Sequence, residues 1–500
     1  MKRTSASLLG LAIAATLFES SALAQRRGGG GGRGGGRTGD AKLLEQFDLD
    51  QNGWLGREER DAARAFLAES QQNNRRRRRG GGGQAEPPVP GAKLTPSDVE
   101  QHPGVPLYDQ GTLRTLFIDF EHDDWEDELA AFYHTDVELP ATLRADGKTY
   151  SNVGIQFRGN SSFFTVSKGQ KRSMSVTLDH VVKDQNIEGY RAMTLLNAHV
   201  DPTFVRAALY LDMAKDYIPA PKANFVRVVI NGESWGIYVN QQRYNKDFLK
   251  EAFDTRKGVR FKSSNRSRGG GLSYLGDSPD DYRGSYEIKS ADKDASWESI
   301  INVARALSET PPESLEAALE PIFNTDGALR YLALDIVMMS GDGYWLHGSD
   351  FNLYADPDGI LHLVHHDANE TFHPQGGGRR GGAANVEVDP FASMDDPNKA
   401  MRQKLLVVPA FRTKYLGYVR DIARDSLDWK VLGPKIEAHR ALIGAAVEAD
   451  TRKLYSTEEF TTAVYGDGEE NPPISTLKGF IQQRREFLLN HPAIKALGGR

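Results

Sequence analysis

The chain of 500 residues contains no cysteine. This absence excludes disulfide bonds, thiolate metal ligands and a cysteine nucleophile. An excess of basic residues is missing too, since 62 lysines and arginines face 68 aspartates and glutamates and the formal net charge is -6. That balance gives no support for specific nucleic-acid binding. Hydrophobic residues make up 39% of the chain, a proportion typical of domains with a buried core.

Long apolar runs are also scarce, and the one clear run stands near the start. It covers residues 8–18, follows Lys2 and Arg3, and precedes a small-x-small sequence at residues 22–24. These are the parts of a secretory signal peptide, so we predict a leader over residues 1–24 and an exported protein, either periplasmic, on the cell surface or secreted. A membrane anchor is the alternative use of this run. No later stretch approaches the roughly 18 apolar residues of a spanning helix, so no transmembrane segment is expected in the mature chain.

Composition divides the remaining chain into two tethers and two modules. Residues 25–38 are rich in glycine and arginine, which predicts a flexible tether. Residues 71–93 form a second linker rich in arginine, glycine and proline, and its five adjacent arginines repel one another and oppose packing. A small module over residues 39–70 therefore lies between the tethers, and a large domain over residues 94–500 follows.

The small module contains the pattern of an EF-hand calcium loop. Residues 48–59 place oxygen side chains at loop positions 1, 3, 5 and 12, with Gly53 at position 6, where the chain turns sharply. Hard oxygen ligands of this number suit Ca²⁺, so we predict a small helical EF-hand module. EF-hands usually pair and the sequence shows one, which leaves its pairing open. The predicted ligands are Asp48, Asp50, Asn52, the backbone carbonyl of Trp54, and Glu59.

The large domain changes character along its length. Residues 151–157 alternate apolar and polar side chains, as a half-buried strand does. Residues 225–239 carry Asn231-Gly232 between two apolar runs, which predicts a hairpin. Beyond residue 297 helical spacing dominates. We therefore predict an α+β fold with a sheet-rich first half and a helical second half.

Three polar residues of the second half form a candidate site. Asp342 lies in an irregular loop, Asn352 on the first strand of a predicted hairpin, and Asp367 just after its second strand. Because a hairpin returns the chain, Asn352 and Asp367 come back to one end. Two carboxylates with an amide oxygen can serve Mg²⁺-dependent phosphoryl transfer, and their order is that of protein kinases. Three unrelated loop residues remain the alternative.

Several segments together resemble the spore coat protein H (CotH) kinase-like family, over most of residues 110–490. The resemblance implies an atypical protein-kinase-like fold of two lobes, a sheet-rich N-lobe and a helical C-lobe. It also implies that ATP and Mg²⁺ or Mn²⁺ bind between the lobes, and that Ser or Thr of an exported or surface protein is phosphorylated. The segments are residues 154–162, 171–178, 190–198, 225–248, 342–354, 366–372, 409–418 and 481–488.

The same resemblance implies a role for individual residues. Asp342 would be the catalytic aspartate, and the metal ligands would be Asn352, Asp367 and Asn369. The ATP phosphates would contact Lys171 or its neighbour Arg172, while Arg158 and Asn160 would lie near the nucleotide on a polar turn.

The sequence also departs from the family pattern. The glutamate that commonly follows the hairpin is replaced by Gln241, and the second aspartate of the Trp-Asp-x-Asp motif is Asn369. These changes leave a second hypothesis open, a non-catalytic calcium-binding envelope or surface protein with a degenerate kinase fold. A third hypothesis is a metal-dependent hydrolase, with zinc bound by His366, Asp367, Glu370 and His373.

Overall fold

The computed structural model describes most of the chain beyond Asp40. Its contacts divide the chain into two units, Met1–Arg37 and Thr38–Arg500. The first unit, with the predicted leader and nearly all of the first tether, lies outside the described residues, as does the middle of the predicted linker. The described residues are 41–75, 88–263, 270–374, 385–466, 468 and 472–498.

Seven strands in the first half of the second unit form a closed barrel. They are β1 (Arg114–Asp119), β2 (Leu139–Ala145), β3 (Lys148–Phe157), β4 (Met174–Thr177), β5 (Ala192–Leu196), β6 (Ala223–Ile230) and β7 (Glu233–Gln242). Their order around the barrel is β1-β2-β3-β4-β5-β7-β6. Neighbouring strands are antiparallel except β1 and β6, whose parallel pairing closes the ring.

Alternating side chains explain this barrel. Residues of β2 are buried at every second position, because successive side chains of a strand point to opposite faces. Leu116, Val153 and Val226 have no exposed surface and belong to one apolar cluster. The predicted hairpin between β6 and β7 is confirmed, and Asn231 and Gly232 both have the positive φ angles, 47° and 75°, of a two-residue hairpin turn.

A second sheet lies in the same compact unit. It contains β8 (Val259–Ser263), β9 (Tyr286–Ile288), β10 (Phe351–Ala355) and β11 (Leu361–His365). The order is β11-β10-β8-β9, and every pairing is antiparallel. The predicted hairpin of β10 and β11 is confirmed. The sequence analysis did not predict that β8 and β9, from far earlier in the chain, would extend it.

Helices form most of the second half, and shorter stretches of helix also occur in the first half. In the described ranges, none of them is both long and apolar enough to cross a membrane. They are α1 (Leu44–Phe47), α2 (Arg57–Arg75), α3 (Trp125–Ala131), α4 (Ser161–Phe164), α5 (Arg206–Ala214), α6 (Lys246–Phe253), α7 (Pro279–Tyr282), α8 (Glu298–Glu309), α9 (Leu315–Leu319), α10 (Thr325–Val337), α11 (Tyr344–His347), α12 (Ala400–Val407), α13 (Pro409–Asp421), α14 (Trp429–Glu448), α15 (Thr457–Thr462), α16 (Leu477–Asn490) and α17 (Pro492–Lys495).

The α+β prediction is therefore confirmed, with strands dominating early and helices late. The largest apolar cluster packs β10 and β11 against these helices, with Leu332 and Ile336 of α10 beside Phe351 and Leu353. Helix α2 runs on to Arg75, into residues predicted as linker, because the intervening Glu, Gln and Arg residues are good helix formers.

Candidate active site

Four carboxylates gather where the loop after α10 meets the ends of β10 and β11. Burial raises the pKa of Asp350, and the charges of Asp367, Asp342 and Glu370 raise it further. Burial also raises the pKa of Glu370, with Asp342 and Asp367 as the neighbouring charges. These four residues are called the acidic cluster below. The structure thus brings the predicted Asp342 and Asp367 together. It adds Asp350, which the sequence analysis did not name, and Glu370, which it named only as a candidate zinc ligand.

The loop carrying Asp342 is held by a buried acid of α10. Asp335 accepts a hydrogen bond of 2.6 Å from the backbone N–H of Trp345, whose indole N–H donates to the Ser340 carbonyl at 2.8 Å. Gly343 passes so close that a Cβ there would lie 1.9 Å from Asp335 Oδ1, so only glycine fits. This packing fixes the backbone on both sides of Asp342, whose side chain stays 39% exposed.

The β10–β11 hairpin positions the other two predicted residues. Asn352 is buried on β10, and its Nδ2 donates to the His365 carbonyl at 3.2 Å. The His365 ring bridges Tyr210 Oη at 3.1 Å and the Asp367 carbonyl at 2.7 Å. Burial lowers the pKa of His365 to about 4, so this ring is neutral and serves to position Asp367.

Asn369 acts on Asp367 directly. Its backbone N–H donates to Asp367 Oδ1 at 3.3 Å, and its side-chain amide lies against the same carboxylate, 3.2 Å from Oδ2. The structure therefore places Asn369 directly against Asp367, another of the predicted metal ligands.

Two cations face the acidic cluster from neighbouring strands. Arg158, at the end of β3, donates to Thr194 Oγ1 at 2.9 Å, and burial lowers its pKa while the charges of Asp367 and Asp350 oppose that shift. Lys262 of β8 pairs in register with Asn352, and burial lowers its pKa while Asp350 opposes that shift. Arg158 was predicted here. Lys262 was missed because local sequence gave no sign that β8 joins β10.

Lys171 and Arg172 lie elsewhere, which corrects the prediction that one of them contacts ATP phosphates. Lys171 has no exposed surface, and its Nζ contacts Asp450 and donates to the Ile237 carbonyl at 2.7 Å. The guanidinium of Arg172 lies 4.5 Å from the ring centroid of Phe163 and donates to the Val166 carbonyl at 2.9 Å. Neither cation is available to a phosphate in this arrangement.

Asn160 has an exposed side chain, two residues after Arg158. Its backbone carbonyl accepts hydrogen bonds from the N–H groups of Phe163 and Phe164, at 3.1 and 3.0 Å, and so begins α4. The polar turn predicted from the sequence therefore exists, but Arg158 is its member that faces the carboxylates.

Two buried polar atoms at the rim of the acidic cluster lack partners, which bears on the fit of a cation. They are Oε1 of Gln241, whose Nε2 donates to the His366 carbonyl at 3.4 Å, and Nδ1 of His199. Carboxylate and amide oxygens are the donors that Mg²⁺ and Mn²⁺ prefer, so the donor set fits. In the part of the chain that the structure describes, however, the carboxylates here do not converge within 4.8 Å as three, so water molecules would complete the coordination of Mg²⁺.

Among the described residues, the candidate zinc ligands of the third hypothesis are not brought together. The four candidate ligands do not form a metal-ligand group among the residues of known placement. Nδ1 of His373 lies 2.8 Å from the Pro374 carbonyl, and Nε2 of His366 faces Asp350 Oδ1 at 3.6 Å. Structural contacts account for both histidines.

The EF-hand loop does bring three carboxylates together. Oxygens of Asp48, Asp50 and Glu59 lie within 4.8 Å of one another, about twice the usual Ca²⁺–oxygen distance. Asp48 Oδ2 accepts from the N–H of Gly53 at 2.8 Å, and Gly53 has φ of 90°. The side-chain oxygen of Asn52 accepts from the Trp54 N–H at 3.0 Å, which orders the loop at the remaining predicted ligands.

Comparison with known proteins places this geometry in a family. The sequence model described as CotH kinase protein matches residues 155–488, more than half of the chain. The chain belongs to the CotH kinase family. It is also similar to the inner spore coat protein H of Bacillus subtilis strain 168, with 20% identity over 395 residues, which are 78% of this chain and 98% of that protein. The family match begins in β3 and ends in α16, so it contains the acidic cluster and excludes the EF-hand loop.

The ion pair of Lys171 and Asp450 gives a stability prediction. The Lys171→Met variant should lose about 3–5 kcal/mol of unfolding free energy, because it leaves the Asp450 carboxylate buried and unpaired. The double variant Lys171→Met with Asp450→Asn should lose less, since no charge is then stranded. Lys168→Met, which removes an exposed lysine 2.6 Å from Asp127, is the matched control and should stay within about 1 kcal/mol. Urea denaturation measures all three, and equal losses in the single and double variants would contradict the assignment.

Asp335 gives a prediction on pH. Burial raises its pKa from 3.8 to about 7, so the folded state holds a proton that the unfolded state releases near pH 4. The stability from this group is complete below that pH and is lost as pH rises toward 7. Asp335→Asn cannot titrate, so its unfolding free energy should fall less between pH 5 and pH 8 than that of the wild type.

Urea denaturation at four pH values would measure the two slopes. Asp358→Asn, an exposed carboxylate in the turn between β10 and β11, controls for the change in net charge. A wild-type slope in Asp335→Asn would show that Asp335 does not titrate as described.

Proposed function

We propose that this CotH-family chain is a Mg²⁺- or Mn²⁺-dependent protein kinase that transfers the γ-phosphate of ATP to a Ser or Thr hydroxyl. The carrying observation is the meeting of Asp342 and Asp367 in one acidic cluster, opposite the cations Arg158 and Lys262. Phosphoryl transfer needs a proton acceptor, held metal and positive charge on the phosphates, and little other covalent chemistry. The barrel and the helical half would then serve as the two lobes of a kinase-like fold.

Asp342 is the residue suited to accept the hydroxyl proton. Its carboxylate is 39% exposed, on a loop whose backbone is fixed by Asp335. As the substrate oxygen bonds to the γ-phosphorus and the bond to the ADP oxygen breaks, the hydroxyl proton passes to Asp342. Asp367 and Glu370, with Asn352 at the side, are the residues that would hold the divalent ion, which supplies positive charge to the phosphates when bound.

Arg158 and Lys262 replace Lys171 as the candidates for phosphate contact. Both carry long cationic side chains toward the carboxylates from the barrel end and from β8. A guanidinium can bind two phosphate oxygens at once, whereas an ammonium acts as a point charge. The pair could therefore orient and neutralise an ATP phosphate chain above the acidic cluster.

The site of action would be outside the cytoplasm. Support comes from the signal-peptide pattern of residues 1–24 and from the name of the Bacillus subtilis relative, which is an inner spore coat protein. An exported or coat-associated protein is the substrate class that suits both observations.

A non-catalytic envelope protein is the second candidate. It is favoured by the buried ion pair of Lys171 and Asp450. It is also favoured by Gln241 and Asn369, which stand where the family pattern has carboxylates. Such a protein would keep the family fold and lack phosphotransfer.

We further propose that the EF-hand loop binds Ca²⁺. Three converging carboxylates and the sharp turn at Gly53 support the assignment. Extracellular sites of this type bind at about 10⁻⁴–10⁻³ M, so an exported protein would hold the ion at millimolar calcium.

Kinase activity is tested with the purified chain, labelled ATP and Mn²⁺ or Mg²⁺. The wild type should label itself or an added protein, and Asp342→Asn should reduce the rate by roughly 100-fold or more, because the proton acceptor is removed. Asp254→Asn, at an exposed helix end, is the matched control and should keep the wild-type rate. If ATP binds to neither the wild type nor Asp342→Asn in calorimetry, the non-catalytic candidate is the correct one.

Calcium binding is tested by titration calorimetry on the full chain. Glu59→Gln should weaken Ca²⁺ affinity at least about tenfold, because the loop loses the carboxylate of position 12. Glu58→Gln alters the adjacent residue, which is not a predicted ligand, and should bind as the wild type does. Unchanged affinity in Glu59→Gln would refute the loop assignment.

A further inference from the structure

The lone EF-hand packs on the barrel domain in place of a second EF-hand. Leu55, at loop position 8, has no exposed surface. It shares an apolar cluster with Leu43 and Ala63 of its own module and with Phe132 and Val137 of the barrel domain. The last two residues belong to the segment 132–138, called the α3–β2 loop below, so this loop covers the face that a partner EF-hand would otherwise cover.

Polar contacts fix the same interface. Arg60 of α2 lies 2.8 Å from Glu128 of α3, and their side chains are only 5% and 1% exposed. The Arg60 guanidinium also donates to the Leu55 carbonyl at 3.0 Å. The N–H of Leu43 donates to Asp136 Oδ1 at 2.7 Å. The EF-hand module is thus tied to α3 through Arg60 and to the α3–β2 loop through Leu43.

The α3–β2 loop in turn contacts the residues after β3. The Tyr133 ring stacks on the ring of Phe163 with centroids 3.6 Å apart. The Tyr133 hydroxyl donates to the carbonyl of Gly159. Gln156 Nε2 donates to the Thr135 carbonyl at 2.6 Å. Residues 158–165, called the polar turn below, therefore rest on the loop that carries the EF-hand.

The polar turn borders the acidic cluster. Arg158 opens it and faces Asp367 and Asp350. Thr165 closes it, with Oγ1 2.9 Å from Nε2 of His199, whose ring also lies near Asp367. One continuous set of packed residues therefore runs from the calcium loop to the candidate phosphate site.

We propose that calcium bound in the EF-hand loop orders the polar turn through the α3–β2 loop, and so acts as an effector of the candidate active site. The inference rests on the proposed calcium site. The Glu59 carboxylate accepts hydrogen bonds of 2.8 Å from the N–H groups of Leu49 and Gly56. Glu59 lies in the first turn of α2, where Arg57 and Arg60 meet Glu128, so a ligand bound by Glu59 would act on this turn. By linkage, a ligand that needs an ordered polar turn and Ca²⁺ would each raise the affinity of the other.

Hydrogen–deuterium exchange on the full chain, in EGTA and in about 1 mM Ca²⁺, tests the coupling without requiring activity. Calcium should slow amide exchange over residues 43–60 and, by about fivefold or more, at the hydrogen-bonded amides of residues 163–165. Tyr133→Phe keeps the ring stack and removes the hydroxyl contact to Gly159. It should retain the calcium effect at 43–60 and lose most of the effect at 163–165.

Tyr465→Phe, which removes a 2.7 Å contact to Glu437 far along the chain, is the matched control and should respond as the wild type does. Protection confined to residues 43–60 in the wild type would overturn the coupling and leave the calcium site standing. If Tyr133→Phe keeps the full calcium effect at residues 163–165, the coupling does not pass through the Tyr133 hydroxyl. Absence of any calcium effect at 43–60 would overturn both the calcium assignment and the inference.

Discussion

Repulsion among buried carboxylates is the constraint on which the candidate site depends. Asp342, Asp350, Asp367 and Glu370 share a partly buried space, and ionising all four would confine several negative charges in a poor solvent. Two positive charges from outside the helical half oppose this repulsion. Arg158 comes from the barrel and Lys262 from β8. The acidic cluster therefore faces two cations that come from other parts of the fold.

The buried ion pair of Lys171 and Asp450 stabilises the fold away from the acidic cluster. Lys171 and Asp450 are 279 residues apart, and both side chains are almost wholly buried. Asp450 also accepts from the N–H of Ile237 on β7, so the segment after α14 is tied both to β7 and to the segment before β4. Because this contact joins the first and last thirds of the domain, Lys171 serves the fold. Arg158 and Lys262 are the cations whose charges act on the carboxylates of the acidic cluster.

The sequence permitted good predictions where the signal is local. The hairpin turn at Asn231-Gly232 follows from short-range stereochemistry, and the alternation of apolar and polar residues over 151–157 marked most of β3. The hairpin of β10 and β11 also followed, and it returns the chain so that Asn352 and Asp367 lie toward the same end. Contacts between segments far apart in the sequence could not be predicted. They include the parallel pairing of β1 with β6, the pairing of β8 with β10, and the ion pair of Lys171 with Asp450. Lys262 was missed for that reason, since its importance comes from a strand nearly one hundred residues later.

The departures from the family motif can now be weighed by charge. Asn369 removes one carboxylate from the motif, yet its amide contacts Asp367. Asp350 and Glu370 add two carboxylates within electrostatic reach of Asp342 and Asp367. The negative charge available to a divalent ion is therefore redistributed among neighbouring positions rather than lost. Gln241, in place of the family's glutamate, also keeps an oxygen at the rim of the acidic cluster, because its buried Oε1 has no hydrogen-bond partner. Unlike glutamate, it adds no negative charge to the four acids already present. On this argument the substitutions alone do not make the protein a pseudokinase.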